Sequence, residues 1–280
     1  TPDIKVQAVK RLGGEVVLHG DSFDVANKYA IQCAQDEGMT FIPPYDDELV
    51  MAGQGTIANE ILRQWRDVEY VFVAVGGGGL IGGVAAYLGD VAPHVKVIPV
   101  EYDESACLKA AFEAGERVIL PSVGLFADGT AVAQIGEKPF EVIQLQKSDN
   151  SGPIVEREVV LVNTDEICTA IKDTYDECRS IVEPSGAMAL AGIKKYVEAH
   201  GIENKNMVSI VCGANMNFDR LRYIAERTEL GERKEAIFAV TIPEEKGSFL
   251  KFCRALQGRN ITEFNYRASN SSAAQVFVGI

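Results

Sequence analysis

Val71-Phe72-Val73-Ala74-Val75-Gly76-Gly77-Gly78-Gly79-Leu80-Ile81-Gly82-Gly83-Val84-Ala85-Ala86-Tyr87-Leu88 is the stretch that decides the fold. It opens on an apolar, β-branched run, the composition of a buried strand. It closes on small apolar residues that read as a helix. Four consecutive glycines stand between them. Glycine loses the most backbone freedom on folding, so four in an ordered segment require compensation. A ligand that needs bare backbone N–H groups close to it supplies that compensation. A strand, a glycine turn and a helix N-terminus bring unpaired N–H groups and the positive helix end to one point, where a phosphate is the natural guest. The plain structural alternative is tight packing of helix on sheet.

Working outward, strand and helix patterns alternate. Residues 14–19 and 40–42 read as strands, the second closed by Pro43-Pro44. Residues 24–36 read as a helix capped by Ser22 or Asp21, and 57–65 as another. Residues 96–100, 159–162 and 207–211 read as strands, 165–179 as a helix, and Pro184 opens a helix that runs to His200. This rhythm predicts a mainly parallel sheet covered by helices on both faces, with its site at the carboxyl ends of the strands. Residues 147–157 read as a polar surface loop. Near Gly231 the pattern changes to a βαββ unit, with strands over 236–241, 261–267 and 275–280 and an amphipathic helix over 249–256.

Composition narrows the function classes. The chain has 280 residues, 47% of them hydrophobic, enough for a sizeable core. A net charge of −13 argues against nucleic-acid backbones and anionic membranes as partners. Residues 71–89 carry no charge, but the glycines interrupt what would otherwise be a candidate membrane span. The six cysteines form no C-x-x-C pair and the three histidines are far apart, so no zinc pattern and no disulfide framework is expected. That usage fits a reduced, intracellular protein.

Four features have competing readings. Gly77-x-Gly79-x-x-Gly82, with Glu101 at the end of the next strand, formally satisfies the dinucleotide fingerprint, with Glu101 in the place of the ribose-binding acid. Cys212, at a strand end beside Gly213, is either a small core residue or a ligand contact. Glu183-Pro184-Ser185-Gly186 is either a helix start that needs small residues or a wall of the site. Asp128 reads as a turn residue, with a cation held jointly with Glu101 as the minor alternative.

Taken together, VFVAVGGGGLIGG (71–83), VGLFADGTAV (123–132), IVEPSGAMALAG (181–192), CGANMNFDRLR (212–222) and IPEEKGSFLKFC (242–253) resemble the biosynthetic threonine dehydratase (threonine deaminase) family. The resemblance implies an α/β, tryptophan-synthase-β-like (fold type II) architecture that uses pyridoxal 5′-phosphate, followed by a C-terminal ACT-like regulatory unit. It divides the chain into the end of a small cofactor domain (1–45), a large cofactor-binding domain (46–230) and a first regulatory subdomain (231–280). It implies that Gly76, Gly77, Gly78, Gly79 and Leu80 bind the cofactor phosphate and that Cys212 faces the pyridine nitrogen. It assigns no metal. The implied reaction converts L-threonine to 2-oxobutanoate and ammonia, the committed step toward isoleucine. Isoleucine and valine are the implied effectors, acting near Gly247, Ser248 and Phe249, and the implied full-length protein is a homotetramer. The compartment follows the organism: cytoplasmic in bacteria, plastid or mitochondrial in eukaryotes. The family's Schiff-base lysine motif, Ser-x-Lys-x-Arg-Gly, is absent from these residues. The resemblance places it upstream of Thr1, places the rest of the regulatory region beyond Ile280, and so leaves these residues with no catalytic lysine. Rival readings are a serine dehydratase or racemase, a nicotinamide-dependent oxidoreductase and a non-catalytic amino-acid sensor.

Overall fold

The computed structural model describes residues 1, 3–145, 154–231, 236–268 and 272–280. The chain forms two compact units, Thr1–Ile224 and Ala225–Ile280.

The first unit runs α1 (Asp3–Arg11), α2 (Phe23–Glu37), α3 (Glu48–Gln64), β1 (Tyr70–Ala74), α4 (Gly79–Val91), β2 (Lys96–Tyr102), α5 (Cys107–Ala114), α6 (Glu137–Leu145), β3 (Val160–Val162), α7 (Thr164–Cys178), α8 (Pro184–His200) and β4 (Met207–Ser209). Helix α9 (Arg220–Gly231) spans the division. The four strands pair in parallel in the order β3-β2-β1-β4. Strand β1 is central and shows why its sequence is apolar at every position. Val71 and Val73 pack into the core that contains α4 and α5, while Phe72 and Ala74 pack into the core that contains α7 and α8. A parallel strand covered on both sides has no solvent face to mark with polar residues. The uncharged stretch 71–89 is therefore strand, loop and helix. No helix among the described residues is long and apolar enough to cross a membrane.

Several boundaries depart from the sequence reading. Residues 14–19 and 40–42 form no strand. Val17 and Leu18 are exposed, and no described strand lies alongside them to complete a ladder. A short apolar run does not make a strand without a partner. Helix α3 begins well before residue 57 because Asp47 caps it, accepting from the N–H groups of Leu49 and Val50. Ser22, not Asp21, caps α2. Helices α1, α5, α6 and α9 have no counterpart in the pattern reading. Of the polar loop expected over 147–157, residues 147–153 lie outside the described residues.

The second unit carries β5 (Ile237–Pro243), α10 (Ser248–Ala255), β6 (Glu263–Ala268) and β7 (Ala273–Gly279). The strands form an antiparallel sheet in the order β5-β7-β6. Ile242, Ala274, Val276 and Val278 form its small core, with Phe252 and Leu256 of the α10 region packed against it. The βαββ order is the one read from the sequence, although its second and third strands begin later and earlier, respectively, than expected.

Candidate functional site

A cleft of about 290 Å³ opens at the carboxyl end of β1. Its lining includes Gly76, Gly77, Gly78, Gly79 and Leu80 on one wall and Cys212 on another, so the tertiary fold brings the two sequence-selected motifs to one place. Tyr45, Thr130, Glu183 and Ser185 also line the cleft.

Each glycine of the loop has a local reason. Gly78 sits at φ +90°, where L side chains are strained, and a Cβ there would lie 2.9 Å from Pro139 Cβ. A Cβ on Gly76 would lie 2.8 Å from Thr130 Cα, and one on Gly77 would enter the Tyr45 ring. One on Gly79 would meet the Tyr45 backbone at 3.0 Å. The packing explanation therefore applies to all four, alongside the ligand explanation.

What packing does not account for is the polarity of the loop. Gly77 O accepts from Gly136 N at 2.9 Å, and Gly78 O accepts from Gly82 N at 2.8 Å. A trans peptide plane points the next N–H opposite its carbonyl. Tying down these carbonyls turns the N–H groups of Gly78 and Gly79 the other way. Helix α4 starts on Gly78 with no side-chain cap, whereas Ser22, Asp47 and Asn163 cap α2, α3 and α7. An uncapped helix N-terminus lining a cleft is an anion cradle.

On the other wall, Cys212 Sγ lies 3.6 Å from Ile210 O. Cys212 is exposed at the cleft surface, not packed in a core. The protein crowded around its sulfur, and secondarily the Glu183 carboxylate, push its thiol up to about 11. It is a neutral thiol at physiological pH. Glu183 organises this wall. Its N–H donates to Gly213 O at 3.0 Å, its carboxylate accepts from Asn215 N at 3.1 Å, and a Cβ on Gly213 would approach its other oxygen to 2.7 Å. Gly186 packs on Gly213 in turn, where a Cβ would come 3.1 Å from Gly213 N. Both readings of Glu183-Pro184-Ser185-Gly186 are thus realised in one segment: Gly186 packs, while Glu183 and Ser185 face the cleft.

Tyr45 was not legible in the sequence. Burial first, then the Asp24 and Asp46 carboxylates, push its phenol up to about 12. Only the fold brings it onto the glycine loop, since nothing in its neighbourhood of the chain marks it.

Glu101 is not a ribose-binding acid. It is fully buried, and its two oxygens accept from Leu108 N at 2.7 Å and Lys109 N at 2.9 Å. A carboxylate used up in the first turn of α5 is not available to a ligand. Nor does it share a cation with Asp128, which instead pairs with Lys5 at 3.0 Å and Arg220 at 3.8 Å. Among the described residues no cluster of three or more His, Cys, Asp or Glu side chains is placed to hold a metal ion.

In the second unit, Gly247 at φ +99° precedes α10. Ser248 is the first helical residue and does not cap the helix. Its N–H donates to Glu245 O at 3.1 Å. Phe249 packs edge-on to Phe264 with ring centroids 5.1 Å apart.

Comparison with known proteins places this geometry. The profile described as "Pyridoxal-phosphate dependent enzyme" matches residues 1–213. The chain belongs to the pyridoxal-phosphate dependent enzyme family. A second profile, "C-terminal regulatory domain of Threonine dehydratase", matches residues 226–280. The chain is 52% identical over 280 residues to the biosynthetic L-threonine dehydratases of Salmonella typhimurium and Escherichia coli, covering 100% of this chain and 53% of each relative. It therefore spans about half the length of the curated relatives it matches. Among solved structures, the processed form of threonine deaminase isoform 2 from Solanum lycopersicum superposes with a TM-score of 0.75 at 46% identity, over 82% of this chain and 61% of that one. Maize serine racemase superposes at 0.68 and 27% identity, over 80% of this chain and 67% of that one. The fold-type II architecture expected from the sequence is the one found, and the regulatory-domain match favours the threonine dehydratase resemblance over the racemase and oxidoreductase rivals.

Proposed function

We propose that these residues carry the phosphate-binding and pyridine-facing half of the active site of a threonine ammonia-lyase, which converts L-threonine to 2-oxobutanoate and ammonia. The observation that carries this reading is the convergence of an uncapped α4 N-terminus and Cys212 on one cleft, in a chain matched by both the enzyme and the regulatory profiles. Pyridoxal 5′-phosphate, when bound, supplies the electron sink for loss of the Cα proton and the β-hydroxyl of the amino acid.

The residues present fit that cofactor. Backbone N–H groups of Gly76, Gly77, Gly78, Gly79 and Leu80 would hold the phosphate, and the glycines leave it room to approach. Cys212 would face the pyridine nitrogen. Being a neutral thiol, it would hydrogen-bond the ring without enforcing its protonation, as a carboxylate would, and so would favour β-elimination over transamination. Glu183 holds the backbone turn that presents Cys212.

The domain division at residues 45 and 230 is part of this reading, as are isoleucine and valine as opposing effectors at Gly247, Ser248 and Phe249, a homotetrameric full-length protein and a reducing intracellular compartment. No lysine lines the cleft among the described residues, and the Lys5 ammonium is held by Asp128. The reading is tested by assaying 2-oxobutanoate from L-threonine with the full-length protein and with the 280-residue chain. Turnover is expected from the first and not from the second. Absence of turnover by the full-length protein, or racemisation of serine as its main activity, would overturn the assignment. Turnover by the 280-residue chain would refute the requirement for a lysine outside it.

A further inference from the structure

The carbonyls of Gly77 and Gly78 are tied down by backbone N–H groups, but that of Gly76 is held by a side chain. Cys107 Sγ lies 3.3 Å from Gly76 O, across 31 positions of sequence. Cys107 is the first residue of α5 and is completely buried. That helix start has no cap from its own N-terminal residues. Its N–H groups are instead satisfied by Glu101, which follows Val100 on β2, and Val100 O accepts from Val75 N at 2.8 Å where the glycine loop leaves β1. Glu101 and Cys107, both buried, therefore form a run beneath the loop that ends on the half-buried Gly76. From the other side the loop is closed by Thr130, whose backbone leaves no space for a Cβ on Gly76.

We infer that Cys107 is a positioning residue for the phosphate cradle: its thiol, fixed by the Glu101-anchored start of α5, holds the Gly76 carbonyl down and so aims the Gly77 N–H into the cleft. Planarity of the 76–77 peptide makes the two orientations inseparable. Of the three loop carbonyls this is the one bonded directly by a side chain, and hence the one whose partner a single substitution removes outright. The thiol does not touch the cofactor or the substrate. Glu101 fixes the helix turn that carries Cys107 and is also a direct hydrogen-bond partner of its thiol, beside the Gly76 carbonyl.

This inference rests on the phosphate reading of the loop, and the test separates the two. In the full-length protein, Cys107→Ala and Cys107→Val both remove the donor, with opposite errors of volume, while Cys107→Ser keeps a donor. Pyridoxal 5′-phosphate affinity is measured on the apoprotein by fluorescence quenching, and the environment of the bound phosphate by phosphorus NMR. Alanine and valine are expected to weaken binding by about three- to tenfold, the span of one neutral hydrogen bond, and to move the phosphorus resonance. Serine is expected to restore both. If valine fails to fold, alanine against serine carries the comparison. Parental affinity and resonance in alanine and valine, or a loss in serine equal to theirs, would overturn the role of Cys107. Gly78→Asp is the control: were it to leave the phosphorus resonance unchanged, the phosphate reading itself would fail.

Discussion

Asp46 and Asp47 are adjacent in the chain and cap two different helices. Asp46 accepts from Glu137 N at 3.0 Å and Lys138 N at 2.9 Å at the start of α6, while Asp47 accepts from Leu49 N at 2.8 Å and Val50 N at 3.1 Å at the start of α3. Tyr45, immediately before them, lies on the glycine loop, and Gly136, immediately before α6, holds the Gly77 carbonyl. The three consecutive residues thus join two helices to one wall of the cleft. Asp46→Ala and Asp47→Ala are each expected to lower stability by about 1 kcal/mol, as loss of a helix cap does. Only Asp46→Ala is expected also to weaken cofactor retention, because α6 supports Gly136. Urea denaturation and cofactor titration of both variants check this; equal retention in the two would disconnect α6 from the cradle.

Gly78→Asp in the full-length protein is expected to abolish cofactor retention. The position combines φ +90° with a neighbour 2.9 Å from any added Cβ, and aspartate adds a negative charge beside a phosphate. Gly78→Ala supplies the strain without the charge and is expected to retain more cofactor. Visible absorbance after gel filtration measures retention, and equal loss in the two variants would assign the effect to strain alone.

At Cys212 the expected order is graded. Serine keeps a hydrogen-bonding group and should preserve substantial activity. Aspartate places a carboxylate against the ring nitrogen and should divert turnover toward side reactions such as transamination. Product analysis by chromatography distinguishes these outcomes. If both Cys212→Ser and Cys212→Ala match the parent, the residue serves packing only.

Stability should depend on pH through Glu101. Burial raises its carboxyl from the ordinary 4.5 to about 7, against the lowering effect of its hydrogen bonds to the α5 backbone. Between these values the folded chain keeps a proton that the unfolded chain has lost. The associated stability is present in full below about 4.5 and is lost as pH rises through about 7, a difference of about 3 kcal/mol. Glu101→Gln cannot titrate and should flatten this slope. Urea midpoints from pH 5 to 8 provide the test, and an identical slope in the variant would remove Glu101 as its source.

Gly247→Trp should weaken isoleucine inhibition of the full-length protein while leaving cofactor binding unchanged. A Cβ at Gly247 meets open space, so the residue adds bulk at the α10 N-terminus rather than in the core, although φ +99° strains the turn locally. Distinct effector and catalytic sites communicate through a coupling free energy, typically about 1–3 kcal/mol. Inhibition curves for parent and variant decide the matter; superimposable curves would move the effector site elsewhere.

What the sequence determined by itself was local chemistry. The run from Val71 to Gly83 encodes strand, turn and helix within a few residues, because glycine and β-branched side chains act on the backbone where they stand. Cys212 and Glu183-Pro184-Ser185-Gly186 were legible for the same reason, as small residues beside the boundaries of regular elements. What only the tertiary structure decided was which of these groups meet. The bonds from Cys107 to Gly76, Asp46 to α6 and Glu183 to Asn215 span 31, 91 or more, and 32 positions. No periodicity connects such partners. The failed strands at 14–19 and 40–42 teach the converse, since a strand exists only when another lies beside it. Glu101 shows both sides at once: its place at the end of β2 was readable, but its role reversed when burial turned it from solvent toward the start of α5. Backbone preference acts over a few residues, whereas burial and hydrogen-bond pairing are properties of the packed chain, and it is packing that assembles the cleft.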